Sequence, residues 1–132
     1  MPSLDTNILL RLVLRDNEAM LYATKKLLAK HDVFAVADQA IIELEYTLCG
    51  YYKYTREEFA QIIEKLFFAN QHLNLNRPLF EKVLPYYLKH RSVSIDDCCL
   101  AVYAKLNDQI PLYTFDKKFA RDIPHVELVP TL

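Results

Sequence analysis

Four acids of this chain stand where an acid needs a reason: Asp5, Glu43, Asp97 and Asp116. Asp5 precedes Thr6-Asn7 and the run Ile8 to Leu14, in which Arg11 is the only polar residue, so its carboxylate must be compensated by a cation or by hydrogen bonds. Helix capping competes with any chemical role there, because Asp is a good cap. Asp116 directly follows the apolar segment Leu112 to Phe115, as Asp5 directly follows Pro2 to Leu4, and has the same two readings. Glu43 lies between Ile42 and Leu44 and shares its helical face with Ala40 and Thr47, where a partly solvated helix position is the plain alternative. Asp97 heads a stripe of Leu100, Ala101 and Ala104 at helical spacing, and first-turn placement near the positive helix end would explain it too. Asp96 sits beside it, and the stripe puts Asp97, not Asp96, on the inward side.

Carboxylates with no Cys or His at ligand spacing suit a hard divalent ion, Mg²⁺ or Mn²⁺, better than zinc. Such an ion lowers the pKa of bound water and stabilises charge on a phosphodiester under attack. His31, His72, His90 and His125 are scattered, and Cys98 and Cys99 lie in an apolar segment while Cys49 has no evident base, so thiol or Ser-His-Asp catalysis has little support. A phosphatase using Asp5 would need a second acid two residues on, where this chain has Asn7. Thr6, Asn7 and Thr114 can orient water or a carboxylate, and turn or cap roles account for them equally. Arg11, Arg15, Lys117, Lys118 and Arg121 neighbour the acids in sequence and form a candidate rim for phosphate, set against the reading of each as a solvated surface charge.

The elements that must position these groups follow from pattern. Short apolar segments at Pro2 to Leu4, Val33 to Ala37, Leu73 to Leu75, Leu112 to Phe115 and Val126 to Val129 predict strands. Helices are predicted from Asn17 to Lys30, from Asp38 as cap to Gly50, after the Thr55/Glu58 capping-box spacing, and after Asn76-Arg77-Pro78. The stripes Phe59, Ile62, Ile63, Leu66, Phe67 and Phe80, Val83, Leu84, Tyr87, Leu88 carry the helical period. Strand and helix alternate, which predicts an α/β class with parallel strands, and ligands in such sheets sit beyond the carboxyl ends of the strands.

With 132 residues, 52% hydrophobic and 25% charged, the chain has the balance of one globular domain with its own core. A formal charge of -1 names no partner. One glycine excludes a Gly-rich phosphate loop. Three cysteines, two of them adjacent, predict reduced thiols and a cytoplasmic setting, and no apolar run approaches membrane length. Tyr51, Tyr52 and Tyr54 cluster at a helix boundary, better suited to a protein contact than to base stacking.

In its blocks the sequence resembles the PIN-domain family and, within it, the VapC-type toxins of toxin-antitoxin pairs. The likeness rests on Leu4-Asp5-Thr6-Asn7-Ile8-Leu9, with Arg11 and Arg15-Asp16, then on Ile41-Ile42-Glu43-Leu44-Glu45-Tyr46-Thr47-Leu48. It continues in Asp97-Cys98-Cys99-Leu100-Ala101-Val102-Tyr103-Ala104 and in Thr114-Phe115-Asp116-Lys117-Lys118. The resemblance implies a single PIN domain over residues 1–132: a three-layer α/β sandwich with a parallel central sheet, strand order 3-2-1-4-5, and helices on both faces. It implies that Asp5, Glu43, Asp97 and Asp116 are catalytic and bind Mg²⁺ or Mn²⁺, in a metal-dependent endoribonuclease that hydrolyses RNA phosphodiester bonds. The implied partners are an RNA substrate, a small VapB-like antitoxin protein and a second copy of the chain in a homodimer, with no membrane. The alternative is a catalytically weak PIN-fold module that binds RNA or protein.

Overall fold

The computed structural model describes residues 1–131. It divides into two compact units, Met1–Asn76 and the chain from Arg77 onward.

In the first unit, helix α1 spans Thr6–Leu14 because Asp5 caps it, accepting from the Ile8 amide at 3.1 Å. Leu9, Leu10 and Leu12 are buried on its inner side, and Arg15 ends it in the left-handed conformation at φ 54°. Helix α2 (Glu18–Leu28) lies within the predicted Asn17 to Lys30, and Asn17, expected as its first residue, caps it by accepting from the Met20 amide. Helix α3 (Asp38–Glu45) follows strand β1 (Phe34–Val36), and its cap position is Ala37, without a side-chain bond. Asp38 is therefore the first helical residue and not the predicted cap. Its carboxylate accepts from Asn76 Nδ2 at 3.4 Å. The chain then widens into a π-helical turn, Tyr46–Tyr51.

Thr55 and Glu58 form the predicted capping box at the start of α4 (Arg56–Gln61), which passes into a second π-helical turn, Ile62–Phe67. Phe59, Ile63 and Phe67 from that stripe are fully buried. Each such side chain contributes roughly 1.5 to 3 kcal/mol through the apolar area it withdraws from water.

Strand β2 (Leu73–Leu75) pairs in parallel with β1, Phe34 opposite Leu73. On the other edge of β1, Ser3 makes an isolated parallel bridge with Ala35, supported by Ala35 N to Pro2 O at 2.8 Å and Leu4 N to Ala35 O at 3.0 Å.

In the second unit, α5 (Arg77–Lys89) carries Pro78 in its first turn and buries Leu79, Phe80, Val83, Leu84 and Tyr87. It packs on α6 (Ile95–Leu106), capped by Ser94. Strands β3 (Leu112–Thr114) and β4 (Val126–Leu128) pair in parallel, Leu112 opposite Val126, and α7 (Lys117–Asp122) connects them.

The fold is mixed α/β, with helices flanking two small parallel strand pairs. This corrects the expectation of one five-stranded sheet in the order 3-2-1-4-5, which the described residues do not form. The neighbours 3-2-1 survive as β2, β1 and the Ser3 bridge, and 4-5 as β3 and β4. The first segment gives only a bridge because Pro2 has no amide hydrogen to donate and Asp5 already turns the chain into α1. Among the described residues no helix is long and apolar enough to cross a membrane.

Candidate functional site

Asp5, Thr6 and Asn7 at the start of α1 share one cleft of about 480 Å³ with Leu10, with Glu43 of α3, and with Tyr46 and Thr47 of the first π-helical turn. Both Glu43 oxygens are engaged. The Thr6 hydroxyl donates to Oε2 at 2.9 Å and the Gln39 amide to Oε1 at 3.3 Å, while the Thr47 hydroxyl donates to the Glu43 backbone carbonyl at 3.0 Å. Gln39, Glu43 and Thr47 thus use the i, i+4 spacing of a helix to form one polar ladder. Asp5 brings the second carboxylate and spends one oxygen on its own helix. Tyr46 stands half exposed on the cleft wall, and beyond it the exposed Tyr51 and Tyr52 rings meet edge to face, centroids 4.8 Å apart.

Asp97 and Asp116 belong to the second unit. Asp97 lies half-buried in the first turn of α6, while Asp96 is exposed, as the helical phase predicts. The stripe behind Asp97 is less apolar in its setting than expected, because Leu100 is exposed and the buried side is Cys98, Cys99, Ala101, Val102 and Ala104. Burial pushes the Asp97 carboxyl above its usual range, helped by the charges of Asp96 and, more weakly, Asp116, while a hydrogen bond from Ser94 pulls it back. Asp116 caps α7, one oxygen accepting from the Lys118 and Phe119 amides at 3.0 and 3.1 Å. Its own amide donates to the Thr114 hydroxyl at 2.9 Å.

The predicted cationic rim is partly committed elsewhere. Arg11 is held by Asp16 at 2.7 Å and Arg121 by Asp122 at 2.8 Å. Arg15, Lys117 and Lys118 are exposed. Residues that the sequence reading passed over are Gln39, which fixes Glu43, and Tyr46, which walls the cleft; the i, i+4 relation of Gln39 to Glu43 was the available clue.

Holding a divalent ion needs several carboxylates converging on one point with lone pairs to spare. Among the described residues no group of three or more His, Cys, Asp or Glu side chains could hold a metal ion. The donor set does not fit Mg²⁺ or Mn²⁺. Asp5 and Asp116 act as helix caps, and Glu43 is bound to Thr6 and Gln39. The expected Mg²⁺- or Mn²⁺-dependent endoribonuclease, and with it the assignment as a metal-binding nuclease, is therefore corrected. The alternative, a PIN-fold binding module, agrees better with these side chains.

Residues 3–122 match the family model described as PIN domain. No curated protein and no solved structure matches the chain.

Proposed function

The chain belongs to the PIN-domain family, and we propose that it acts as a binding module, engaging a protein partner through the cleft between α1 and α3. The carrying observation is that Asp5 and Glu43 line a cleft walled by Tyr46, with Glu43 held rigid by Thr6 and Gln39. Two carboxylates beside an exposed aromatic ring suit a cationic side chain, which gains charge-assisted hydrogen bonds from the acids and a cation–π contact from the ring. They repel a phosphate backbone, and two of the five cations proposed to attract one are already paired. Protein is favoured over RNA on that ground.

The finer parts of the reading rest on the sequence blocks: the chain as one PIN domain over residues 1–132, of the VapC type, homodimeric, with a small VapB-like antitoxin as its partner. The exposed Tyr51 and Tyr52 support a protein contact. A cytoplasmic setting is part of the same proposal, supported by Cys49, Cys98 and Cys99, none of which is in a disulfide among the described residues.

Co-purification from the native operon tests this. A small neighbouring gene product should be recovered with the chain and lost with Glu43→Lys or Tyr46→Ala. Recovery of the chain alone overturns the proposal, and a gel shift of RNA in EDTA that depends on Lys117 and Lys118 would replace it with RNA binding.

A further inference from the structure

Within the second unit, α5 and α6 leave a groove of about 590 Å³ between them. Its apolar lining is Pro85 and Tyr86 from α5 and Val102 and Leu106 from α6, with Lys82 and Lys105 among the same lining residues. Val102 is buried and forms floor, whereas Leu106 is 47% exposed and forms wall. The one acid in the lining, Glu81, is bound to Arg77 at 2.6 Å, so its charge is compensated on its own helix. The groove thus joins an apolar trough to two ammonium groups. The Tyr86 ring already has two aromatic neighbours, His90 in an offset stack with centroids 6.1 Å apart and His125 edge to face, and so offers less of itself to a base.

We infer that this groove is a docking site for an acidic peptide segment in which an apolar residue is flanked by Asp or Glu. The apolar anchor fills the trough over Val102, and the flanking carboxylates reach Lys82 and Lys105. Charge complementarity selects the anion, and the apolar floor selects a peptide over a nucleic acid, whose bases meet a Tyr86 ring already engaged by His90 and His125. The site is separate in chemistry from the acid-lined cleft, which attracts cations.

Fluorescence anisotropy on the full chain tests the inference with three labelled probes: a short peptide of Leu and Phe flanked by Glu, the same peptide with Lys in place of Glu, and a short single-stranded RNA. The acidic peptide should bind, more weakly as salt rises, and Lys82→Glu with Lys105→Glu should weaken it about tenfold or more. Leu106→Ser, which leaves the charges alone, should also raise Kd. Circular dichroism checks that the variants fold, and should the double variant unfold, Lys105→Ala and Leu106→Ser decide. Equal binding of the lysine peptide to a Glu43→Lys chain, whose acid-lined cleft no longer attracts cations, an unchanged Kd in folded variants, or preference of these lysines for the RNA would each overturn the proposal.

Discussion

The Thr6 hydroxyl donates to the Glu43 carboxylate across 2.9 Å, tying the first residue of α1 to the last turn of α3. A charge-assisted bond of this kind is worth about 1.5 to 3 kcal/mol when well protected and less at an exposed site. Thr6→Val should therefore cost about 1 kcal/mol, and a double-mutant cycle with Glu43→Ala should return a coupling of similar size. Additive losses in thermal melts would show that the bond carries no energy.

Asp5 has a capping duty that is separable from charge. Asp5→Ala should cost about 1 kcal/mol and Asp5→Asn only a few tenths, because Asn caps as well as Asp. Since the donor set does not fit a divalent ion, the melting temperature of the parent chain should be the same in EDTA and in Mn²⁺. A rise of several degrees in Mn²⁺, lost in Asp5→Asn, would restore a metal site.

Asp97 titrates with a folded-state pKa raised by burial and by Asp96. An acid raised on folding binds more protons folded than unfolded, so its contribution to stability falls as pH climbs from the unfolded value through the folded one. Asp97→Asn removes that loss and keeps an acceptor for Ser94. It should raise the melting temperature slightly at pH 7, because the group is only half-buried, and leave it nearly unchanged at pH 3. A lower melting temperature at pH 7 would contradict this.

Asp122 behaves oppositely. Hydrogen bonds from Arg121 and Ser92 lower its carboxyl from 3.8 to about 2. Its contribution is complete above the unfolded value and disappears as pH falls through about 2. Asp122→Asn should flatten that part of the acid-denaturation curve, read by circular dichroism.

Gly50 sits in the first π-helical turn, and a Cβ added there meets nothing within 4 Å. Its φ is not positive. Gly50→Ala should accordingly stabilise the chain by about 0.5 to 1 kcal/mol by restricting the unfolded backbone. Destabilisation in a urea melt would mean that the turn needs the glycine.

Local chemistry was legible in the sequence wherever it was self-contained. Asn17, Thr55 and Glu58 announce helix starts because a cap and its amides are neighbours in the chain. The strand positions of β1 to β4 follow from short apolar runs in the same way. Pairing is different, since it depends on partners far away in sequence, and nothing in Ser3 itself says that it will bridge at one residue. The widening of α3 at Tyr46 was also hidden, because its apolar residues fit an ordinary helical period. The acids were found, but not their employment: an Asp after a short strand and before an apolar run is the pattern of a ligand and of a cap alike. The distances from Asp5 to the Ile8 amide and from Asp116 to the Lys118 and Phe119 amides show the cap, and the lack, among the described residues, of a converging group of three His, Cys, Asp or Glu side chains tells against the ligand.

The two π-helical turns bear on how this chain can be compared with others. A π turn holds about one residue more than an α turn, and one residue advances a helix by roughly 100°. Residues beyond Tyr46–Tyr51 and beyond Ile62–Phe67 therefore point one helical step away from where a regular helix of the same length would aim them. A homologue lacking one residue in either stretch could keep the same inward-facing set with an unbroken α-helix. Gaps in an alignment belong inside these two turns, and one placed in the loops instead would assign every side chain between to the wrong counterpart.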